Sequence, residues 1–273
     1  MIQEADRLFR RYMSCLGWLG DPGLFELVRT HVVKVPVENV SAILAQAEGG
    51  RAGLPDVEAF LSGIERHDLG GSGLTNNGYF VELLRYLDYD AELLGADVDG
   101  RPLAHAVCRV LYDDRPHLVD VGLGAPLYEP IPLDRGLPYR VQSGERTYVL
   151  DRHAAEGCYE MVTLERGARV SSYVVRPAPR RLADFAPGVQ ALHAADGEHL
   201  RHLRVTRIFA SRRATLRDCE VTIARDGESA SRRLPDLAAL EAAMQEDFQL
   251  PRLPIARAAQ ALRLRGIDVF AGA

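Results

Sequence analysis

The sequence predicts an α+β protein in three successive parts: helices, then a block of antiparallel strands, then mixed α and β. Three observations carry this. Apolar residues recur at helical spacing through the first part, and the period drops to two from about residue 91. A proline-rich stretch at 176–188 then precedes a return of both patterns. The parts are 1–88, 89–180 and 181–273. With 273 residues, 47% hydrophobic and 26% charged, the chain is long and apolar enough to bury a core, which excludes wholesale disorder.

Taken in order, Ala5, Leu8, Phe9, Tyr12 and Met13 describe one face of an amphipathic helix. GDPGLFELVRTHVV reads as a break and then a second helix, with Pro22 near its start. EGGRAGLPD at 48–56 is a connector, and helical spacing resumes from Val57 to Ile64. LGGSGLTNNGYFVELLRYLDYD at 69–90 is a glycine-rich loop entering a helix whose stripe is Phe80, Leu83, Leu84 and Leu87. AELLGADV, HAVCRVLY and HLVDVGL are strands, with DDRP at 113–116 as the turn between the last two. Further short strands fill 140–176. After the proline-rich boundary come a short helix, a strand pair around RATLRDCEVTIARDG, and one or two helices from Leu234 onward. No internal repeat is visible.

Composition narrows the function classes. Net charge is -5, and Lys34 is the only lysine, so 32 of the 33 basic residues are arginine. Cys15, Cys108, Cys158 and Cys219 show no CxxC spacing, which argues against a disulfide scaffold or zinc knuckle and for a reducing, cytoplasmic setting. The start, MIQEADRLFRRYM, is too charged for a signal-peptide core, and no apolar run approaches membrane-spanning length. Nucleic-acid binding is not expected, since aromatics are 7% and no basic-aromatic platform appears. His193, Asp196, His199 and His202 form the one metal-like cluster, read as a surface helix rather than a site.

Several spaced segments together resemble the arylamine N-acetyltransferase family. His31 followed by VPVENV (35–40) is similar to the family's His-then-PFENL element, and LGGSGLTNNGYF (69–80) to its nucleophile segment RGGxCxEx-N. AHAVCRV and HLVDVGLG place His105 and Asp120 where the family has its triad histidine and aspartate. RRATLRDCEVTI (212–223) and EDFQLPRLP (246–254) resemble its last hairpin and closing helix. The resemblance implies a cysteine-proteinase-like core: a helical bundle over 1–88 with the nucleophile loop, a β-barrel over 89–180 carrying His105 and Asp120, and an α/β lid over 181–273. It also exposes a departure. Gly73 stands where the family has its cysteine, Leu69 where it has the opening arginine, and Thr75 where it has the glutamate.

Without the sulfur, no acyl-enzyme can form at position 73, yet an Asp-oriented histidine remains a general base. Ladder arithmetic alone does not join the pair. A turn centred at 114–115 would pair 109 with 120 and leave His105 about 13 Å away along the strand, so their meeting rests on the resemblance. Ser72 and Thr75 flank Gly73 and are weak replacement nucleophiles, with a cap role natural for Thr75. Cys108 would face away from His105 and pack as a small hydrophobe. The family counterpart of Glu38 supports the arginine that is Leu69 here, so Glu38 is either an acid/base candidate or a repartnered structural group. Asn77 belongs to the same pocket. The run GGSG either opens space for substrate or makes a tight turn.

Arg201, Arg204, Arg207, Arg212, Arg213 and Arg217 lie in a stretch without acidic residues. Either Arg207, Arg212 and Arg213 receive the phosphates of coenzyme A, or of a carrier protein's phosphopantetheine, or they form a solvated face. No tightly bound cofactor and no metal are expected. The leading expectation is C–N or related bond formation on an acyl thioester or a substrate held by an acyl or peptidyl carrier, as in amide synthases of secondary metabolism. An acid/base cyclase, isomerase or condensation enzyme on a small molecule is the second reading, and a non-catalytic ligand- or partner-binding protein the third.

Overall fold

The computed structural model describes residues 2–50, 53–194 and 197–271. Five helices come first: α1 (Ile2–Leu16), α2 (Leu24–Lys34), α3 (Val40–Ala47), α4 (Val57–His67) and α5 (Gly73–Tyr86), with a two-residue strand β1 (Val37–Glu38) before α3. Side chains and acidic residues mark their starts. Asp56 accepts from Ala59 N at 2.7 Å to cap α4, and Glu26 accepts from Gly23 N at 3.1 Å at the head of α2. The α5 stripe is wider than its spacing suggests: every residue from Leu74 to Val81 is buried, because the helix is wedged between α1 and the barrel strands.

Eight strands form a near-closed antiparallel barrel: β2 (Asp90–Val98), β3 (Arg101–Tyr112), β4 (Arg115–Val119), β5 (Ile131–Pro132), β6 (Tyr139–Ser143), β7 (Arg146–Arg152), β8 (Tyr159–Glu165) and β9 (Ala168–Arg180). Their spatial order is β5-β4-β3-β2-β9-β8-β7-β6. Its interior is apolar, with Leu94, Val107, Leu150, Met161 and Tyr173 facing inward. After α6 (Ala186–Leu192) come β10 (Arg204–Ile208), β11 (Arg213–Arg217), β12 (Glu220–Arg225), β13 (Glu228–Arg233), α7 (Leu237–Glu246) and α8 (Ile255–Leu264).

The chain order and the packing do not coincide at α3 and β1. β1 is the edge strand of the C-terminal sheet, pairing Val37 with Thr206, and Val40, Ile43 and Leu44 of α3 pack into the core under that sheet. The first 88 residues therefore do not make one bundle. β1 also forms a parallel bridge from Val37 to Gly71, which stitches the C-terminal sheet to the glycine loop ahead of α5.

Candidate active site

The β3–β4 hairpin corrects the expected register. Asp113 and Asp114 both take left-handed backbone angles (φ 50° and 57°), the signature of a two-residue type I′ turn. This turn is tighter than DDRP suggests, and it pairs Arg109 with Leu118 and Cys108 with Val119. Extending that pairing puts Asp120 opposite position 107, two residues from His105, a gap of about 7 Å that two side chains can span. A bulge in β3 also helps to place the histidine. Between the pairs Val98–Arg101 and Ala96–His105, β3 carries two more residues than β2, and Leu103 takes φ 49°. Asp97 accepts from Leu103 N at 3.1 Å and holds that turn of backbone.

His105 Nε2 lies 2.8 Å from Asp120 Oδ2. Tyr173 donates its hydroxyl to the same oxygen at 2.8 Å, while Asn77 Nδ2 and Gly122 N donate to Oδ1 at 2.8 and 2.9 Å. Asn77 Oδ1 in turn accepts from Val121 N at 2.9 Å, so one amide locks the α5 helix to the loop after β4. Burial alone would raise the Asp120 carboxyl, but the facing His105 and the hydrogen bonds from His105, Asn77 and Gly122 N outweigh it and hold the group below its usual range. An ionised carboxylate only accepts, so Nε2 carries the proton and Nδ1 presents a lone pair. Burial, followed by the Asp120 charge, pushes the Tyr173 phenol far up, so it remains a donor.

The Nδ1 edge of His105 faces Gly73, the first residue of α5. A Cβ on Gly73 would lie 2.3 Å from His105 Cε1, 2.4 Å from Nδ1 and 2.9 Å from the Gly122 carbonyl oxygen. The glycine therefore does not leave open space. The imidazole fills it, so of the two readings of GGSG the structure does not give extra room at position 73. A separate cavity of about 210 Å³ borders His105 and Gly122 and runs into the barrel between Val98, Leu123, Met161 and Tyr173.

The other candidates distribute as follows. Ser72, not Thr75, caps α5: its Oγ accepts from Thr75 N at 3.3 Å and sits 3.2 Å from Thr75 Oγ1. Both hydroxyls are occupied in the cap. Cys108 packs on the opposite face of β3, 3.5 Å from the Asn77 carbonyl, and burial raises its thiol. Glu38 is buried, and its oxygens accept from Ser41 N at 2.8 Å and Gly70 N at 3.2 Å. Burial raises its carboxyl against those bonds, but both oxygens are committed to backbone, which makes it a structural brace rather than an acid/base group. Arg213 is 3% exposed and donates to the Tyr148 hydroxyl, so it is not part of a phosphate-facing surface. Burial lowers it, and pulls Arg207 down to about 10. Arg212 stacks on Phe209 at 3.9 Å, with Arg207 at 5.5 Å from the same ring. The six arginines are thus not one face.

His202 turns to Asp218 at 2.6 Å, while His193 and His199 stack at 6.3 Å; Asp196 lies outside the described residues. Among the described residues no three His, Cys, Asp or Glu side chains converge as metal ligands, and no helix is long and apolar enough to cross a membrane. Sequence reasoning missed Tyr173, Gly122 and Asp97. Tyr173 had no motif to mark it, while the glycine after the VDV run was the one available signal for Gly122.

A family model described as N-acetyltransferase matches residues 22–254. Among solved structures, the chain is similar to a cysteine-to-glutamine variant of the Mycobacterium smegmatis arylamine N-acetyltransferase, with 25% identity, TM-score 0.75 and coverage of 95% of this chain and 98% of that one. The Nocardia farcinica arylamine N-acetyltransferase is similar at 25% identity and TM-score 0.76, covering 93% and 95%. The Mycobacterium marinum enzyme in complex with CoA shares the fold at 20% identity and TM-score 0.75, covering 94% and 98%. No match was found among curated protein sequences.

Proposed function

Since the chain belongs to the arylamine N-acetyltransferase family, we propose that it transfers an acyl group from a thioester directly to an amine, with His105 as general base and no acyl-enzyme. In this reading Gly73 stands at the family's nucleophile position. The observation that carries it is the filled volume at Gly73: the imidazole edge lies where a nucleophilic side chain would begin. The neighbouring hydroxyls of Ser72 and Thr75 are turned into the helix cap.

The step balances within the groups present. The amine nitrogen attacks the thioester carbonyl as His105 Nδ1 accepts its proton, forming imidazolium held by Asp120. The amino end of the 14-residue α5 lies beside this edge and favours the negative charge developing on the carbonyl oxygen. Collapse breaks the C–S bond, and the imidazolium returns the proton to the departing sulfur. The donor is coenzyme A or a carrier-borne phosphopantetheine thioester, by analogy with the Mycobacterium marinum relative in complex with CoA.

A second reading, acid/base chemistry on one small molecule without acyl transfer, is favoured by the size of the cavity. At about 210 Å³ it lies below the roughly 300 Å³ at which drug-sized pockets begin. The test is turnover of acyl-coenzyme A with a panel of arylamines by wild type and His105→Ala, with intact-protein mass spectrometry after mixing. Amide formation lost in the variant, with no mass shift on the enzyme, is expected. Unchanged turnover in the variant, or an acyl adduct on Ser72 or Thr75, would overturn the reading; binding of acyl-coenzyme A without any amide would favour the second.

A further inference from the structure

The cavity beside His105 is graded along its length. Its first layer is Met161 opposite Tyr173, a cross-strand pair of β8 and β9, with the Tyr173 ring 5.0 Å from the imidazole. Two residues further along the same inward row, about 7 Å away, Thr163 stands opposite Ser171. Val98, Leu123 and Met161 supply apolar walls between the dyad and this second layer. Thr163 is only 7% exposed and lines the cavity.

Among the described residues no protein group hydrogen-bonds the Thr163 or Ser171 hydroxyl, whereas the neighbouring Ser172 hydroxyl accepts from Arg169. Directly opposed side chains on an antiparallel pair have Cβ atoms about 5 Å apart. Both side chains line the same cavity, with the donor and acceptor capacity of their hydroxyls unused. No lysine, arginine, aspartate or glutamate lines the cavity. A carboxylate placed there would have no cationic partner, which is unfavourable. The volume of about 210 Å³ exceeds the roughly 150 Å³ that accepts a benzene ring and leaves space for a few substituent atoms.

We propose that Thr163 and Ser171 form the distal end of an acceptor subsite. It selects a small neutral amine, about one ring in length, that carries a hydroxyl or carbonyl at the end remote from its nitrogen. The proposal rests on the reading of His105 as the base that the nitrogen approaches; the selectivity itself is a binding property and is measurable without turnover.

The test is calorimetric or NMR titration of the full chain with 4-aminophenol, aniline and 4-aminobenzoate, repeated on Thr163→Val, Ser171→Ala and the double variant. Wild type is expected to bind 4-aminophenol about tenfold more tightly than aniline, the scale of one or two added hydrogen bonds, and to bind the carboxylate most weakly. The double variant should lose the preference for the hydroxyl while still binding aniline, which also shows that its fold is intact. Equal binding of all three amines by wild type, preference retained in the double variant, or no binding of any amine would each overturn the subsite. Selective binding combined with unchanged turnover in His105→Ala would leave the subsite standing and remove the base.

Discussion

Adding one methyl group at position 73 probes the closest contact in the site. In Gly73→Ala the new Cβ falls 2.3 Å from His105 Cε1 and 2.9 Å from the Gly122 carbonyl oxygen, against an optimal carbon–carbon separation of about 3.5–4.0 Å. Relief requires a shift of more than about 1 Å. The ring cannot yield freely, because Nε2 is tied to Asp120, whose other bonds come from Asn77, Gly122 N and Tyr173. The helix start cannot retreat at no cost either, since Gly73 and Gly122 pack backbone to backbone: a Cβ on Gly122 would lie 2.5 Å from Gly73 Cα. Overpacking of this kind costs about 1–3 kcal/mol, or a Tm lower by roughly 2–10 °C for a chain of this size. A double-mutant cycle isolates the cause. In the His105→Ala background the ring contacts are gone and only the Gly122 carbonyl contact remains, so Gly73→Ala should cost at least 1 kcal/mol less there, read by urea or thermal unfolding. An equal cost in both backgrounds, or no cost in either, would refute the claim that the imidazole occupies this volume. Gly73→Cys carries the same Cβ, so in the proposed reading it displaces His105 and is not expected to acetylate arylamines; robust acetylation would count against the reading.

Three further perturbations follow from the same contacts. His31 is fully buried with Nε2 2.8 Å from the Tyr12 hydroxyl, and burial lowers it from 6.5 to about 3; below pH 6.5 the unfolded chain binds a proton that the native state refuses, so stability falls as pH drops. By pH 5 this amounts to about 2 kcal/mol, and His31→Gln, although less stable at pH 7.5, should lack that part of the slope in urea titrations at the two pH values. Asn77→Ala strips partners from Asp120 and Val121 N together, so unfolding free energy should fall by about 1–3 kcal/mol and kcat with it; a variant of wild-type stability would show the amide to be dispensable. Asp97→Ala frees the Leu103 turn that precedes His105 and also removes the ion pair to Arg176 (2.6 Å), so kcat should drop while Asp97→Asn, which keeps the acceptor but not the charge, retains most of it; equal loss in both would assign the effect to the ion pair.

What the sequence could and could not reveal divides along the distance over which each feature is decided. The helical stripe of α5 and the strand pair over 213–225 are set by periodicity within a few residues, and they are legible; the prolines do not mark a break at 176, because β9 runs through Pro177 and Pro179 to Arg180. The meeting of His105 with Asp120 depends on which residues of DDRP adopt left-handed angles and on a bulge at Leu103 that contains no glycine. Neither is visible in a pattern, and a one-residue shift of the turn, which moves the pairing register by two, changes the separation from about 13 Å to about 7 Å. Gly73 is the sharper case. A glycine in place of a side chain is consistent with a vacancy, a tight turn or a close approach, and only the tertiary neighbour decides among them. Here that neighbour is the base itself. Gly73 and the position of His105 are therefore one feature: a side chain added at 73 would displace the histidine on which the proposed chemistry depends.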